Sequence, residues 1–280
     1  MRDGWLTVRL VEDMQYMLHA GRPIDAIVSG LRSATLPAII QYRSLAWTGE
    51  KKVPDLPRAI MQSNVGRALA SFEGLLCTKS GFRPARTVRA HTAESFALST
   101  QDDLVSEAWE LFEVRFNRSA QRAGLSRSIA DLLQVALHEM VDNAISHSYA
   151  DLLIISAYHA LDGFVQFCVA DTGIGVYESL RTCPEHARIT TDSEAIRRAI
   201  TDGVSRFGRG NGGWGFRQVF KAVASQWGFL RFRSGEGCVS IDGKDCDSDK
   251  GTQLFLSPLR GFHVTISCLT TPGAIAQPIA

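Results

Sequence analysis

Residues Ser128–His147 read SIADLLQVALHEMVDNAISH, and residues Leu152–Gly175 read LLIISAYHALDGFVQFCVADTGIG. In the first stretch Ile129, Leu133, Leu137, Met140, Val141 and Ala144 recur at helical spacing and make one apolar stripe. The pattern predicts a helix from about Ile129 to Ser148, with Ser128 as N-cap and Asp131 three residues on. The second stretch holds two strand-like runs, Leu152–Tyr158 and Phe164–Ala170, separated by Leu161-Asp162-Gly163. An Asp-Gly pair between such runs favours a hairpin, and the second run ends at Asp171. A helix beside an antiparallel hairpin points to the α+β class.

Upstream, Gln101–Arg122 reads as an amphipathic helix carrying Leu104, Ala108, Leu111, Phe112 and Phe116. Downstream, Gly173–Gly213 is polar and loop-like apart from a short helix near Ser193–Ile200, and Phe216–Gln226 reads as a further helix. Strand runs follow at Phe229–Arg233, Cys238–Ile241, Gln253–Ser257 and Phe262–Cys268. Helices and strands segregated in this way make a two-layer α/β sandwich of the α+β class rather than a βαβ repeat. The basic, turn-rich Thr78–Arg86 segment marks a boundary. The expected organisation is a smaller amino-terminal α/β domain over 1–90, a larger domain over 91–272 and a tail over 273–280.

The chain has 280 residues, 45% of them hydrophobic and 21% charged, which excludes disordered and collagen-like classes. Its net charge of +1 gives no field toward nucleic acid or an anionic membrane. No run approaches the ~20 apolar residues of a membrane span, and Met1-Arg2-Asp3-Gly4-Trp5 does not open a signal core, so a soluble cytoplasmic protein is expected. The six cysteines form no CxxC pair and have no His at metal-ligand spacing, which reads as reduced thiols.

Glu139, Asn143 and His147 fall four residues apart on a face adjoining the apolar stripe, and can act together. A carboxylate and a carboxamide one turn apart suit a Mg-nucleotide site. Mg²⁺ prefers hard oxygen donors, and a Glu can orient or deprotonate an attacking group. The same spacing also describes an ordinary solvated helix face. In Asp171-Thr172-Gly173-Ile174-Gly175 the glycines permit a tight turn close to a ligand, and the Asp can accept a hydrogen bond from an exocyclic amine. Gly208-Arg209-Gly210-Asn211-Gly212-Gly213-Trp214-Gly215 leads into the helix at Phe216. Five glycines in eight residues leave backbone N–H groups free to approach phosphates beside a helix N-terminus.

Gly208-x-Gly210-x-x-Gly213 satisfies the dinucleotide pattern, but Thr201–Phe207 before it is not a strand, so a Rossmann site is excluded. There is no GxxxxGK[ST] and no GxSxG. Asp142 stands where a zincin helix would place its second His.

Taken in order, Glu139/Asn143, Asp171-x-Gly173-x-Gly175, the Gly208–Gly215 cluster and Lys250-Gly251-Thr252 resemble the boxes of the GHKL ATPases. This Bergerat-fold group includes histidine-kinase catalytic domains, anti-sigma-factor serine kinases, gyrase B and MutL. The resemblance spans about Gln101 to Cys268 and is nearest to bacterial anti-sigma-factor-type ATP-binding proteins. It implies ATP and Mg²⁺ as cofactors, Asn143 as the Mg²⁺ ligand and Glu139 as the catalytic carboxylate. It further implies that Asp171 holds the adenine amine and that Gly173 and Gly175 shape its pocket. Arg209, Gly210, Gly212, Gly213 and Gly215 would lie on the phosphate side, Tyr177–Phe207 would form the ATP lid, and Thr252 would end the last box. Trp214 and Phe216 replace the usual leucines of the glycine box, and Lys250 replaces a common Gly.

The amino-terminal part, with Ala26–Leu31, a helix-like Leu36–Trp47, a short strand near Lys52–Leu56 and a helix opening at Ser63–Leu69, is similar to a STAS-type domain. Ser33 and Thr35 are the local phosphoacceptor candidates. The joint resemblance implies a regulatory Ser/Thr kinase in which Glu139 activates a partner's hydroxyl for transfer of the ATP γ-phosphoryl group. The alternatives are an ATP-hydrolysing switch that closes its lid and dimerises, a histidine-kinase module using His19 or His91, and a protein that binds ATP without turnover. A protein partner is expected in the kinase reading and a homodimer in the switch reading.

Overall fold

The computed structural model describes residues 4–47, 53–69, 88–89, 91–148, 154–200, 227–242 and 252–270. Strands β1 (Trp5–Leu6) and β2 (Ser33–Ala34) form a short parallel pair. Strands β3 (Val88–Arg89), β4 (Ala93–Leu98), β5 (Ile154–Leu161), β6 (Phe164–Asp171), β7 (Trp227–Asp242) and β8 (Thr252–Leu269) form one sheet. Their spatial order is β3-β4-β5-β6-β8-β7, and every neighbouring pair is antiparallel. The amino-terminal helices are α1 (Val8–His19), α2 (Asp25–Ser29), α3 (Leu36–Trp47), α4 (Arg58–Met61) and α5 (Asn64–Leu69). After them come α6 (Gln101–Leu104), α7 (Glu107–Arg122), α8 (Arg127–His147), α9 (Gly175–Arg181) and α10 (Asp192–Ile200). The protein is thus a mixed helix and sheet structure of the α+β class.

All eight residues of β6 are buried, as a strand covered on both faces requires. The pleat sends Val165, Phe167 and Val169 to one core, with Phe96, Tyr158 and the inner faces of α7 and α8. Phe96, Trp109, Phe112, Phe116, Tyr158 and Phe167 form a chain of ring contacts there, with centroids 5.2–5.6 Å apart. The opposite face is lined by Ala93, Ala97, Ala157, Cys168 and Ala170 and shares a second core with α1 and α3. Small residues on that face let α3 lie close to the sheet. α3 is itself buried on nearly every side, as its run of Leu36, Ala38, Ile39, Ile40, Tyr42 and Leu45 demands. The sandwich therefore has three layers, not two: the amino-terminal helices form the third. Glu94 of β4 takes a bifurcated bond from Arg115 Nε at 2.9 and 3.1 Å, pairs with Arg115 Nη2 at 2.6 Å, and accepts from Tyr158 OH at 2.7 Å, fastening α7 to the sheet.

Several expectations need correction. The helix foreseen over Gln101–Arg122 breaks at Val105–Ser106, where the extended Ser106 caps a new helix by accepting from Trp109 N at 3.2 Å. The loop foreseen after Gly173 contains α9, and α10 packs on β7 through Ile196 and Ile200. The four carboxy-terminal strand runs are two long strands. A bulge over Ser234–Gly237 and a bend at Gly261 let each chain change direction without leaving the ladder. Val53–Leu56 is irregular, where a short strand was expected. The helix at Phe216–Gln226, the boundary at Thr78–Arg86 and the 273–280 tail lie outside the described residues. The Asp162-Gly163 hairpin turn forms as foreseen, with Gly163 at φ +78°. No helix among the described residues is long and apolar enough to cross a membrane.

Gly261 carries a φ of +82°, and a Cβ there would lie 1.9 Å from the Asp171 carbonyl oxygen. Gly21 also has a positive φ, +71°, but a Cβ added to it would meet nothing within 4 Å. Gly21→Ala is expected to cost about 1 kcal/mol from left-handed strain alone. Gly261→Ala is expected to cost about 3 kcal/mol, because backbone must also move. Denaturant midpoints of the two variants give the comparison, and equal losses would mean that the contact at Gly261 relaxes freely.

Candidate functional site

The site is built where α8 ends and β6 ends. α8 starts two residues earlier than the spacing suggested, because the extended Ser126 accepts from Ile129 N at 3.4 Å. Asp131, foreseen in the capping box with Ser128, accepts instead from Asn117 Nδ2 at 2.8 Å on α7. At the other end the Ser148 carbonyl, just past α8, accepts from Ile174 N at 2.9 Å. That bond ties the helix to the turn after β6. Gly173 is required at this approach, since a Cβ would stand 2.2 Å from the Ser148 oxygen.

Asp171 is the last residue of β6 and is 3% exposed. Its Oδ1 accepts from Gly173 N at 2.8 Å, and the carboxylate also accepts from the Phe262 N–H. Two N–H donors favour the ionised form, but burial outweighs them and pushes the carboxyl from 3.8 up to about 7. Two donors do not exhaust a carboxylate's acceptor sites, so it can still accept from a ligand N–H. Gly175, at φ +82°, begins α9, and Val176 N donates to Ser234 Oγ at 3.0 Å. Ser234 Oγ in turn donates to the Gly261 carbonyl at 2.8 Å.

Glu139 and Asn143 lie in the second half of α8, both half-buried, with no hydrogen bond or ion pair among the described residues. His147 is half-buried in the last turn. The neighbouring His138 is turned to α7, its Nδ1 2.9 Å from Glu113 Oε1, and this bond raises its pKa. With Nδ1 carrying the proton it donates to Glu113, that nitrogen has no lone pair for Trp109 Nε1, 3.3 Å away.

Thus Asp171, Gly173 and Gly175 are brought together with the carboxy-terminal end of the helix that carries Glu139 and Asn143. Arg209, Gly210, Gly212, Gly213 and Gly215 lie outside the described residues. Thr252 opens β8 opposite Ser240, ten residues along the strand from Phe262, and the residue of β8 that meets Asp171 is Gly261. Gly261 and Ser234 were missed by sequence reasoning. A signal existed: a lone glycine between two strand runs marks a close backbone approach or a bulge. Among the described residues no group of three or more His, Cys, Asp and Glu could hold a metal ion. No protein-family model and no curated protein matches this chain.

The proton on Asp171 makes a pH prediction. Between about pH 4 and 7 the folded chain keeps a proton that the unfolded chain releases, so stability falls as pH rises through that window. Asp171→Asn is expected to remove this part of the decline. Thermal midpoints of parent and variant across pH 4–8 check it, and parallel profiles would overturn it.

Proposed function

We propose that this chain is an ATP-binding regulatory protein with the Bergerat fold of the GHKL group, acting as a Ser/Thr kinase of the anti-sigma type. The observation that carries the reading is the buried Asp171 carboxyl at a strand end, joined through Gly173 and Ser148 to the helix bearing Glu139 and Asn143. The order of these residues along the chain is that of the family's boxes, and the contact of the Gly173 turn with the end of the helix that carries Glu139 and Asn143 supports the resemblance independently of order.

In this reading Asp171 accepts from the adenine exocyclic amine, replacing part of the solvation lost on burial. A carboxylate in a dry site also discriminates. Guanine presents a carbonyl where adenine presents the amine, leaving Asp171 facing another acceptor. Gly173 and Gly175 keep the wall of the pocket at backbone level. Asn143 offers a side-chain oxygen with no other described partner, which suits a hard cation. Mg²⁺ usually takes one or two protein ligands and completes its shell with phosphate oxygens and water, so one carboxamide is sufficient protein contribution. When bound, the ion would neutralise phosphate charge as the γ-phosphoryl group departs. Glu139, one turn before Asn143, would orient or deprotonate the attacking hydroxyl of a partner protein. An ATP-hydrolysing switch uses the same residues with water as nucleophile, and a homodimer would then accompany lid closure. The cytoplasm is the compartment in which ATP and such a partner are available.

Asn143→Ala is expected to lose Mg²⁺-dependent ATP binding, and Asp171→Asn to lose the preference for adenine over guanine nucleotides, both read by calorimetric titration. Parent-like binding of MgATP by both variants would remove the site assignment. With γ-labelled ATP, a kinase leaves the label in ATP until a partner accepts it, whereas a hydrolysing switch releases free phosphate that Glu139→Ala abolishes.

A further inference from the structure

We propose that the amino-terminal helix α1 is a positioning element for Asp171, acting through Gln15 and Glu12 on the β7–β8 hairpin. The positioning itself is independent of any ligand; its consequence for nucleotide affinity rests on the function proposed above.

The hairpin is weakest where it matters most to Asp171. Its register shifts between Ser234 and Gly235 and again between Gly235 and Gly237, so the ladder cannot by itself fix residues 257–261 of β8. Other groups take over. The buried Arg233 guanidinium donates to the carbonyls of Gly235, Gly237 and Ser257. Gln15, 2% exposed on α1, donates through Nε2 to the Pro258 carbonyl at 2.5 Å. Glu12, one turn earlier, forms an ion pair with Arg231 of β7, and both side chains are less than a tenth exposed. Leu259 packs into the core that the amino-terminal helices share with the sheet.

Two residues beyond Leu259 the same segment reaches Asp171. Gly261 lies against the Asp171 carbonyl, and the Phe262 N–H donates to the Asp171 carboxylate. Segment 257–262 is therefore a bent link, held on one side by α1 and on the other by Asp171. A shift of α1 along the sheet moves Pro258, and Pro258 carries Gly261 and Phe262 with it. The geometry makes Gln15 the direct handle and the Glu12–Arg231 pair the anchor that fixes where α1 lies. A desolvated pair is suited to that role, because breaking it leaves a buried charge uncompensated and no neighbouring register satisfies it. Through this link the amino-terminal layer sets how well Asp171 is presented to a ligand.

The test uses the full chain with Gln15→Ala, which leaves the ion pair intact, and Glu12→Gln as a second variant. Backbone amide hydrogen exchange is followed by NMR at Phe262 and at Ala157 in the middle of β5. The expected result for Gln15→Ala is about tenfold faster exchange at Phe262 with Ala157 nearly unchanged, the mark of a local opening. Unchanged exchange at Phe262, or the same acceleration at both amides, would overturn the proposal, the latter because Gln15 would then contribute only to global stability. ATP titration of parent and variants runs alongside, with weaker binding expected for Gln15→Ala in proportion to the fall in the fraction of chains that hold Asp171 in place. A parent that binds no ATP removes the nucleotide reading, while the exchange rates still decide the positioning role.

Discussion

A carboxylate removed from water must find N–H donors, and the carboxylate at the end of β6 imposes this requirement on the rest of the molecule. Asp171 obtains one donor from Gly173 by an immediate turn of its own chain, and the other from Phe262 of the neighbouring strand. The turn is tight enough to press Gly173 against Ser148, which fixes the end of α8 beside the end of β6. The neighbouring strand can deliver Phe262 only by passing over the Asp171 carbonyl, which Gly261 permits and no side chain would. The atoms that satisfy one buried charge are thus the atoms that join helix, strand and hairpin.

The two faces of the sheet divide the work. Large aromatic residues fill the space under α7 and α8, where the helix carrying Glu139 and Asn143 is held rigidly by rings in contact. The other face is lined by alanines and Cys168, and there the amino-terminal helices lie close and supply Glu12 and Gln15 to the hairpin. A segment expected to be a domain apart shares a core with the sheet and contacts the hairpin whose Gly261 and Phe262 meet Asp171.

The central elements were legible because their signals are local. The stripe from Ile129 to Ala144 and the Asp-Gly hairpin each declare themselves within a few residues, and both form. The turn at Asp171–Gly175 was equally legible, since glycine spacing after a strand is a local pattern. What escaped depended on contacts distant in sequence. Ser126 rather than Ser128 caps α8, and the Asp131 expected to complete a box with Ser128 is instead drawn to Asn117 of α7. Gly261 meets Asp171, a residue far earlier in the chain, so no periodicity announces it. The strand runs were read as four because Gly235, Gly237 and Gly261 look like breaks. In the sheet they are bends tolerated within two continuous strands. The third layer was invisible for the same reason: continuous burial of β6 says that both faces are covered, not which part of the chain covers the second.

The polar side chains of α8 divide into those with partners on neighbouring helices and those with none among the described residues. Asp131 accepts from Asn117, His138 bonds Glu113, and Gln101 reaches both Asp142 and Ser146 at 3.0 and 3.3 Å. These residues look toward α6 and α7 and are accounted for by packing one helix on another. Glu139 lies about 100° round the helix from His138, and Asn143 about 100° round from Asp142. Glu139 and Asn143 are half-buried yet have no partner among the described residues. Exposed residues without partners need no explanation, and buried polar residues with partners are structural. A carboxylate and a carboxamide that lose part of their water without a partner among the described residues cost stability, and that cost is recovered where a ligand or another part of the chain supplies the missing contacts.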